Sequence, residues 1–203
     1  VTFNYDTLIE DAMSIHGLKF DDLEAYTNRD PRFALYKLHG SVNWARLHYV
    51  GPDNRASLRQ LIERPEYLKE PQQGTGYRIW NNTKSDLRER EFVGLPAIAI
   101  PLRQKTTFEC PQEHLAHLSE QLPRVRKILA IGWRGMEQHF TSLLKDRLSK
   151  EMQRLHVVSK GDGDATMNHL KTAALLNRAQ CTCADHGFSA FVCDQLGRDF
   201  FAS

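Results

Sequence analysis

Lys127-Ile128-Leu129-Ala130-Ile131, closed by Gly132, is a continuous apolar run of the kind found in a buried strand of a parallel sheet. It sits in the strand segment Val125–Gly132, and a helix is expected after it from about Glu137 to Glu151. Leu155–Ser159 reads as the next strand, and Lys160-Gly161-Asp162-Gly163-Asp164 as a glycine-rich turn. A helix from Ala165 to Leu176 then leads to a last strand near Gln180–Ala184. Strands alternating with helices imply an α/β chain with a parallel sheet and helices on its faces.

Upstream of this series, Leu95–Leu102 is an apolar strand bounded by Pro96 and Pro101. His114–Leu122 reads as a helix with Leu115, Leu118 and Leu122 on one face. Residues 45–94 have a different texture. Leu58–Leu68 is charged and weakly helical, Glu70–Gly76 is a loop, and Lys84–Phe92 is densely charged, so the stretch reads as an insertion or small subdomain, or as a solvated surface excursion. Before it, Phe33–Val42 supplies a strand that opens into a loop, with His39 and Gly40 in Leu35-Tyr36-Lys37-Leu38-His39-Gly40-Ser41-Val42-Asn43-Trp44. The chain opens on Val1-Thr2-Phe3-Asn4-Tyr5-Asp6, an alternating stretch that ends in polar side chains. Asp6 is placed to cap a helix over Thr7–Ile15 that Gly17 can end, with Leu8, Ile9, Ala12 and Met13 as its buried face. Asp30-Pro31 signals a turn.

The 203 residues are enough for one α/β domain with a substantial core. Twenty-seven basic and 25 acidic residues leave a net charge of +2, which points to neither a nucleic-acid partner nor a membrane surface. No apolar run approaches the ~20 residues of a membrane span, and a cytoplasmic protein is expected. The four cysteines, Cys110, Cys181, Cys183 and Cys193, include one Cys-x-Cys and no Cys-x-x-Cys, so no metal site is expected. Cys181 and Cys183 alternate along a strand and read as buried thiols.

Two strand ends carrying Thr2, Asn4, Asp6 and His39 suggest a site at the carboxyl edge of a parallel sheet. Thr2-x-Asn4-x-Asp6 followed by His39-Gly40 resembles the paired motifs of the sirtuins. Thr2-Phe3-Asn4-Tyr5-Asp6-Thr7-Leu8-Ile9-Glu10, with Lys37-Leu38-His39-Gly40-Ser41-Val42-Asn43-Trp44, is closer to the sirtuin-like domains of bacterial anti-phage defence proteins. The resemblance implies a Rossmann-like parallel sheet with helices on both faces and a small inserted subdomain at 45–94, all within one NAD-binding domain over 1–203. It also implies NAD as ligand and substrate. His39 would then take a proton, Asn4 would orient the ribose or a water, and Asp6 would hold the site polar or anchor the loop.

For cofactor binding the resemblance adds Thr2, and at the second sheet edge Gly132, Trp133, Arg134 and Ser159. Sirtuins have Gly-x-Ser where this chain has Gly132-Trp133-Arg134, and Arg134 could meet a phosphate in place of the missing hydroxyl. Gly132 alone could also serve only a tight turn. Glu137 lies near an acidic position of the defence-type domains, or acts as a first-turn helix acid; Lys105 follows Pro101 as in relatives. The zinc module that many sirtuins carry after His-Gly has no counterpart in these cysteine spacings.

Three functions are compatible with these residues: an NAD hydrolase of the defence type, an NAD-dependent protein deacylase, and a nucleotide-binding module without catalysis. Since Val1 begins inside an apparent strand, the chain is expected to be an N-terminally truncated fragment lacking a glycine-rich unit. Such a fragment should bind NAD weakly and expose an apolar surface. Other domains of the same longer chain are the expected partners, and a homo-oligomer is compatible with the sequence.

Overall fold

The computed structural model describes residues 1–27, 30, 32–50, 63, 76–80, 88–89, 92–99, 108–173, 179–194 and 197–202. Expectations for Pro31, most of 51–87, 100–102 and Lys105 lie outside the described residues. The chain divides into two compact units, Val1–Leu118 and Ser119–Ser203.

The first unit contains helix α1 (Leu8–Ser14), a 3-10 turn at Glu24–Tyr26 and four strands, and helix α2 (Gln112–Gln121) begins within it. The strands β1 (Gly40–Tyr49), β2 (Tyr77–Ile79), β3 (Arg88–Glu89) and β4 (Phe92–Ile98) form an antiparallel sheet in the order β2-β1-β4-β3. Trp44 pairs with Ile79 on one side of β1, and Leu47 pairs with Gly94 on the other. Pro96 lies in β4 beyond the two residues that β3 pairs, so its missing N–H interrupts no bond to that neighbour. Tyr26 and Trp44 are fully buried, with ring centroids 5.1 Å apart at 81°. The His114 ring, 6.0 Å from that of Tyr26 and 5.6 Å from that of Trp44, closes the cluster.

Two expectations shift here for physical reasons. The strand expected at Phe33–Val42 instead begins at Gly40 and runs on to Tyr49. A turn closed by Gly40 N–H on the Lys37 carbonyl (3.2 Å) ends the earlier segment, and pairing with Phe92–Pro96 carries the later one forward through Ala45. Helix α1 also faces the other way from its apolar periodicity. It buries Glu10, whereas Leu8 is 70% exposed and Ile9 and Ala12 also face solvent.

The second unit holds β5 (Lys127–Ile131), β6 (Arg154–Val158) and β7 (Gln180–Ala184), all parallel in the order β5-β6-β7. Helices α3 (Gln138–Arg147) and α4 (Gly163–Ala173) fill the two crossovers, and α5 (Gly187–Cys193) and α6 (Gly197–Ala202) follow β7. Successive side chains of β6 point to opposite faces. Leu155 and Val157 are buried on one face, and Cys183, the register partner of Val157, borders the start of α4. On the other face His156 lies against Phe191 of α5 (5.4 Å) and Phe200 of α6 (6.1 Å). Central β6 is therefore the strand covered on both faces. β5, the most apolar in sequence, takes the edge of this sheet, and Ile131 is 43% exposed.

The chain is thus a mixed α/β fold with one antiparallel and one parallel sheet rather than one large parallel sheet. Its parallel part is consistent with a Rossmann-like core. Among the described residues no helix is long and apolar enough to cross a membrane.

Candidate functional site

In the first unit, the Thr2–Asp6 segment lies alongside residues 36–42. Thr2 and Lys37 form a parallel bridge: Thr2 N–H donates to the Tyr36 carbonyl (2.8 Å), and Leu38 N–H donates to the Thr2 carbonyl (3.2 Å). At the far end Val42 N–H donates to the Tyr5 carbonyl at 2.8 Å, and the Ser41 hydroxyl reaches it at 3.4 Å. Asn4 stands between these anchors, and its N–H donates to Thr2 Oγ1 at 3.0 Å. The Asn4 residue is exposed, and among the described residues no hydrogen bond engages its side-chain amide.

His39 is half-buried on the facing segment. Its ring centroid is 5.0 Å from that of Phe3, and its carbonyl accepts the Ala99 N–H at 2.8 Å. Gly40 follows at φ +82°, where a Cβ would fall 1.8 Å from the Ala97 carbonyl oxygen. A side chain there has neither the backbone conformation nor the space it needs. The structure therefore brings Thr2, Asn4, Asp6 and His39 onto two adjacent segments.

Asp6 Oδ1 accepts the Leu8 N–H at 3.1 Å, while the N-cap residue of α1 is Thr7, which makes no side-chain cap. The helix thus starts one residue later than expected, and Asp6 bonds its first N–H from the position before the N-cap. The Lys37 ammonium donates to the Asp6 carbonyl and to Glu10 Oε1 (2.7 Å), and the Tyr26 hydroxyl donates to the same carboxylate oxygen (3.1 Å). Burial, and then the Glu10 charge, pushes the Tyr26 hydroxyl far above its ordinary value. The sequence reading missed Glu10 and Lys37, since nothing local marks a pair so far apart in the chain. The one local signal is at Lys37, a charge inside the apolar run Leu35–Leu38, whereas Glu10 lies off the apolar face of its helix and carries none.

In the second unit, Gly132 ends β5 at φ +63°, and its N–H donates to the Val158 carbonyl at 2.9 Å. Trp133 Nε1–H donates to Glu137 Oε2 (2.5 Å) and its ring meets Phe140 edge-on at 5.3 Å, so Glu137 serves the loop itself. Arg134 pairs with Asp162 (2.9 Å), both at least partly exposed, and the Gly135 carbonyl accepts from His169 Nε2 (3.0 Å). The Ser159 hydroxyl donates to Asp185 Oδ1 at 3.1 Å, and the Gly163 N–H at the start of α4 donates to the same atom at 2.8 Å. Asp185, which follows β7, is a third residue that the sequence reading passed over.

All four cysteines are free thiols; Cys110 is buried, and Cys181 and Cys183 are half-buried. The ligand atoms of Asp164, Cys183 and Asp185 lie within 4.8 Å of one another. The Cys183 thiol donates to Asp164 Oδ1 (3.2 Å), and that bond to a carboxylate, followed by desolvation, pushes it up to about 11.

The first unit thus holds Thr-x-Asn-x-Asp and His-Gly segments side by side, and the second holds a parallel α/β core. A family model described as a SIR2-like domain matches residues 1–178, and the chain belongs to that family. No curated protein and no solved structure matches it.

Proposed function

We propose that this SIR2-like domain binds NAD and hydrolyses it to nicotinamide and ADP-ribose, in the cytosol of a bacterium, as part of a defence protein. Water supplies the oxygen that joins the ribose C1′, the bond from C1′ to the nicotinamide nitrogen breaks, and nicotinamide leaves neutral. His39 accepts the proton that the water gives up, and the exposed amide of Asn4 orients the water or the ribose. Thr2 and Asp6 shape the segment that carries Asn4 and border the ribose.

One observation carries the reading. The backbone bonds at Thr2 and Tyr5 fix Asn4 against the segment of His39, which gives an orienting amide and an imidazole on neighbouring segments. SIR2-family domains generally use NAD, and that supports the choice of ligand. In the second unit the same reading gives Gly132, Trp133, Arg134 and Ser159 a nucleotide-binding role at a parallel sheet edge. We further assign residues 1–203 to one NAD-binding domain.

A second reading, a nucleotide-binding module without catalysis, is favoured by the engagement of Arg134 by Asp162 and of Ser159 by Asp185 within the chain. Nicotinamide release, measured with and without an acylated peptide, separates the possibilities. Release without peptide supports hydrolysis, release only with peptide marks a deacylase, and NAD binding without release marks the inactive module.

A further inference from the structure

Lys37 is the least expected residue in the interior of the first unit. Its side chain is wholly withdrawn from solvent, where an ammonium is costly unless it is paired and fully bonded. It is bonded: to the Glu10 carboxylate and to the Asp6 carbonyl. The same residue also bridges Thr2 through its backbone. Both ends of the Thr2–Asp6 segment are therefore tied around Lys37, the first by the backbones of its neighbours Tyr36 and Leu38 and the last by its ammonium. Asn4 lies between them, and His39 is two residues further on.

We propose that Lys37 is a positioning residue that fixes Asn4 relative to His39, with Glu10 as the counter-charge that keeps its ammonium in place. The inference rests on the reading that Asn4 and His39 act on the ribose. Tyr26, bonded to the same Glu10 oxygen and packed on Trp44, anchors the carboxylate to the core. A buried ion pair of purely structural value would stabilise the unit without regard to Asn4. A positioning pair must change the geometry of turnover when it is removed, even where stability is retained.

The test uses the full-length protein with Lys37→Met and Glu10→Gln together. This pair removes both charges, keeps similar volumes and leaves Tyr26 an acceptor. Hydrogen exchange at the Val42 amide, which reports the Tyr5 anchor, is expected to rise about ten-fold while the β6 amides keep their protection. The kcat for nicotinamide release is expected to fall about ten-fold or more with KM within about two-fold. If the double variant does not fold, Tyr26→Phe, which keeps the ion pair and frees the Glu10 carboxylate from its anchor, should show both changes at about three-fold. Wild-type protection at Val42 in a folded variant, or unchanged kcat in an active enzyme, overturns the proposal. Absence of nicotinamide release from the wild type sinks the hydrolase reading instead, and the exchange measurement then decides the Lys37 question alone.

Discussion

Lys37 Nζ stands 2.7 Å from Glu10 Oε1, with the two side chains 0% and 7% exposed. Removing one charge of such a pair strands the other in the interior, at a cost of about 3–5 kcal/mol, whereas removing both together is near neutral. Lys37→Met alone should therefore destabilise the protein far more than Lys37→Met with Glu10→Gln. Urea unfolding of the two variants checks this, and equal losses would show that the pair contributes no coupling.

His39→Ala should lower nicotinamide release by about 10²–10⁴-fold with the fold intact, because a general base contributes on that scale. Asn4→Ala should lower kcat more than it raises KM, since its amide orients rather than binds. Steady-state kinetics on folded variants decide both. A His39→Ala protein that turns over at the wild-type rate would remove His39 from the chemistry.

His114 gives the pH dependence its sign. Burial holds its imidazole below the ordinary 6.5, and its Nε2–H donates to the Leu23 carbonyl at 2.9 Å. The unfolded chain binds a proton first as the pH falls through about 6.5, so stability present at neutral pH is lost from there down to the folded value. That loss is at most about 1.4 kcal/mol per pH unit. Denaturant midpoints from pH 7.5 to 5 should fall more steeply for the wild type than for His114→Gln. Parallel curves would show that His114 is not the group responsible.

Much of the second unit was legible in the chain. Gln180–Ala184 forms β7 as read, and the turn at Gly161–Asp164 leads into α4. Strong local punctuation and short crossovers leave little choice there. The first unit was harder to read because its partners lie far apart in sequence. The periodicity of Leu8, Ile9, Ala12 and Met13 indicates a buried apolar face, but Lys37, distant in sequence, draws Glu10 inward and turns that face out. The antiparallel sheet was likewise hidden, because β1 finds β4 only across the charged stretch that separates them. The site motifs were legible as residues, while the roles of Glu10 and Asp185 needed the fold.

Chelators should leave stability and nicotinamide release unchanged, since the cysteine spacings form no zinc knuckles. Thermal melts with and without EDTA, alongside metal analysis of the purified protein, check this. Stoichiometric zinc that is lost together with stability would contradict it.

Gly40→Ala should destabilise the first unit by about 2–5 kcal/mol, the sum of a left-handed backbone penalty and overpacking against Ala97. Thermal unfolding of the variant measures this, and a wild-type midpoint would mean that the strand can move aside.

The carbonyl of Ala97 also changes what a His-Gly motif signifies. Gly40 is required because another strand occupies the space of its side chain, whatever happens at His39. A descendant that had abandoned NAD chemistry could replace the histidine freely but would still be held to the glycine. Within this architecture the two letters of the motif therefore age at different rates. A surviving glycine attests only to the sheet, and under the proposed hydrolase reading the neighbouring histidine is the letter that would record catalysis.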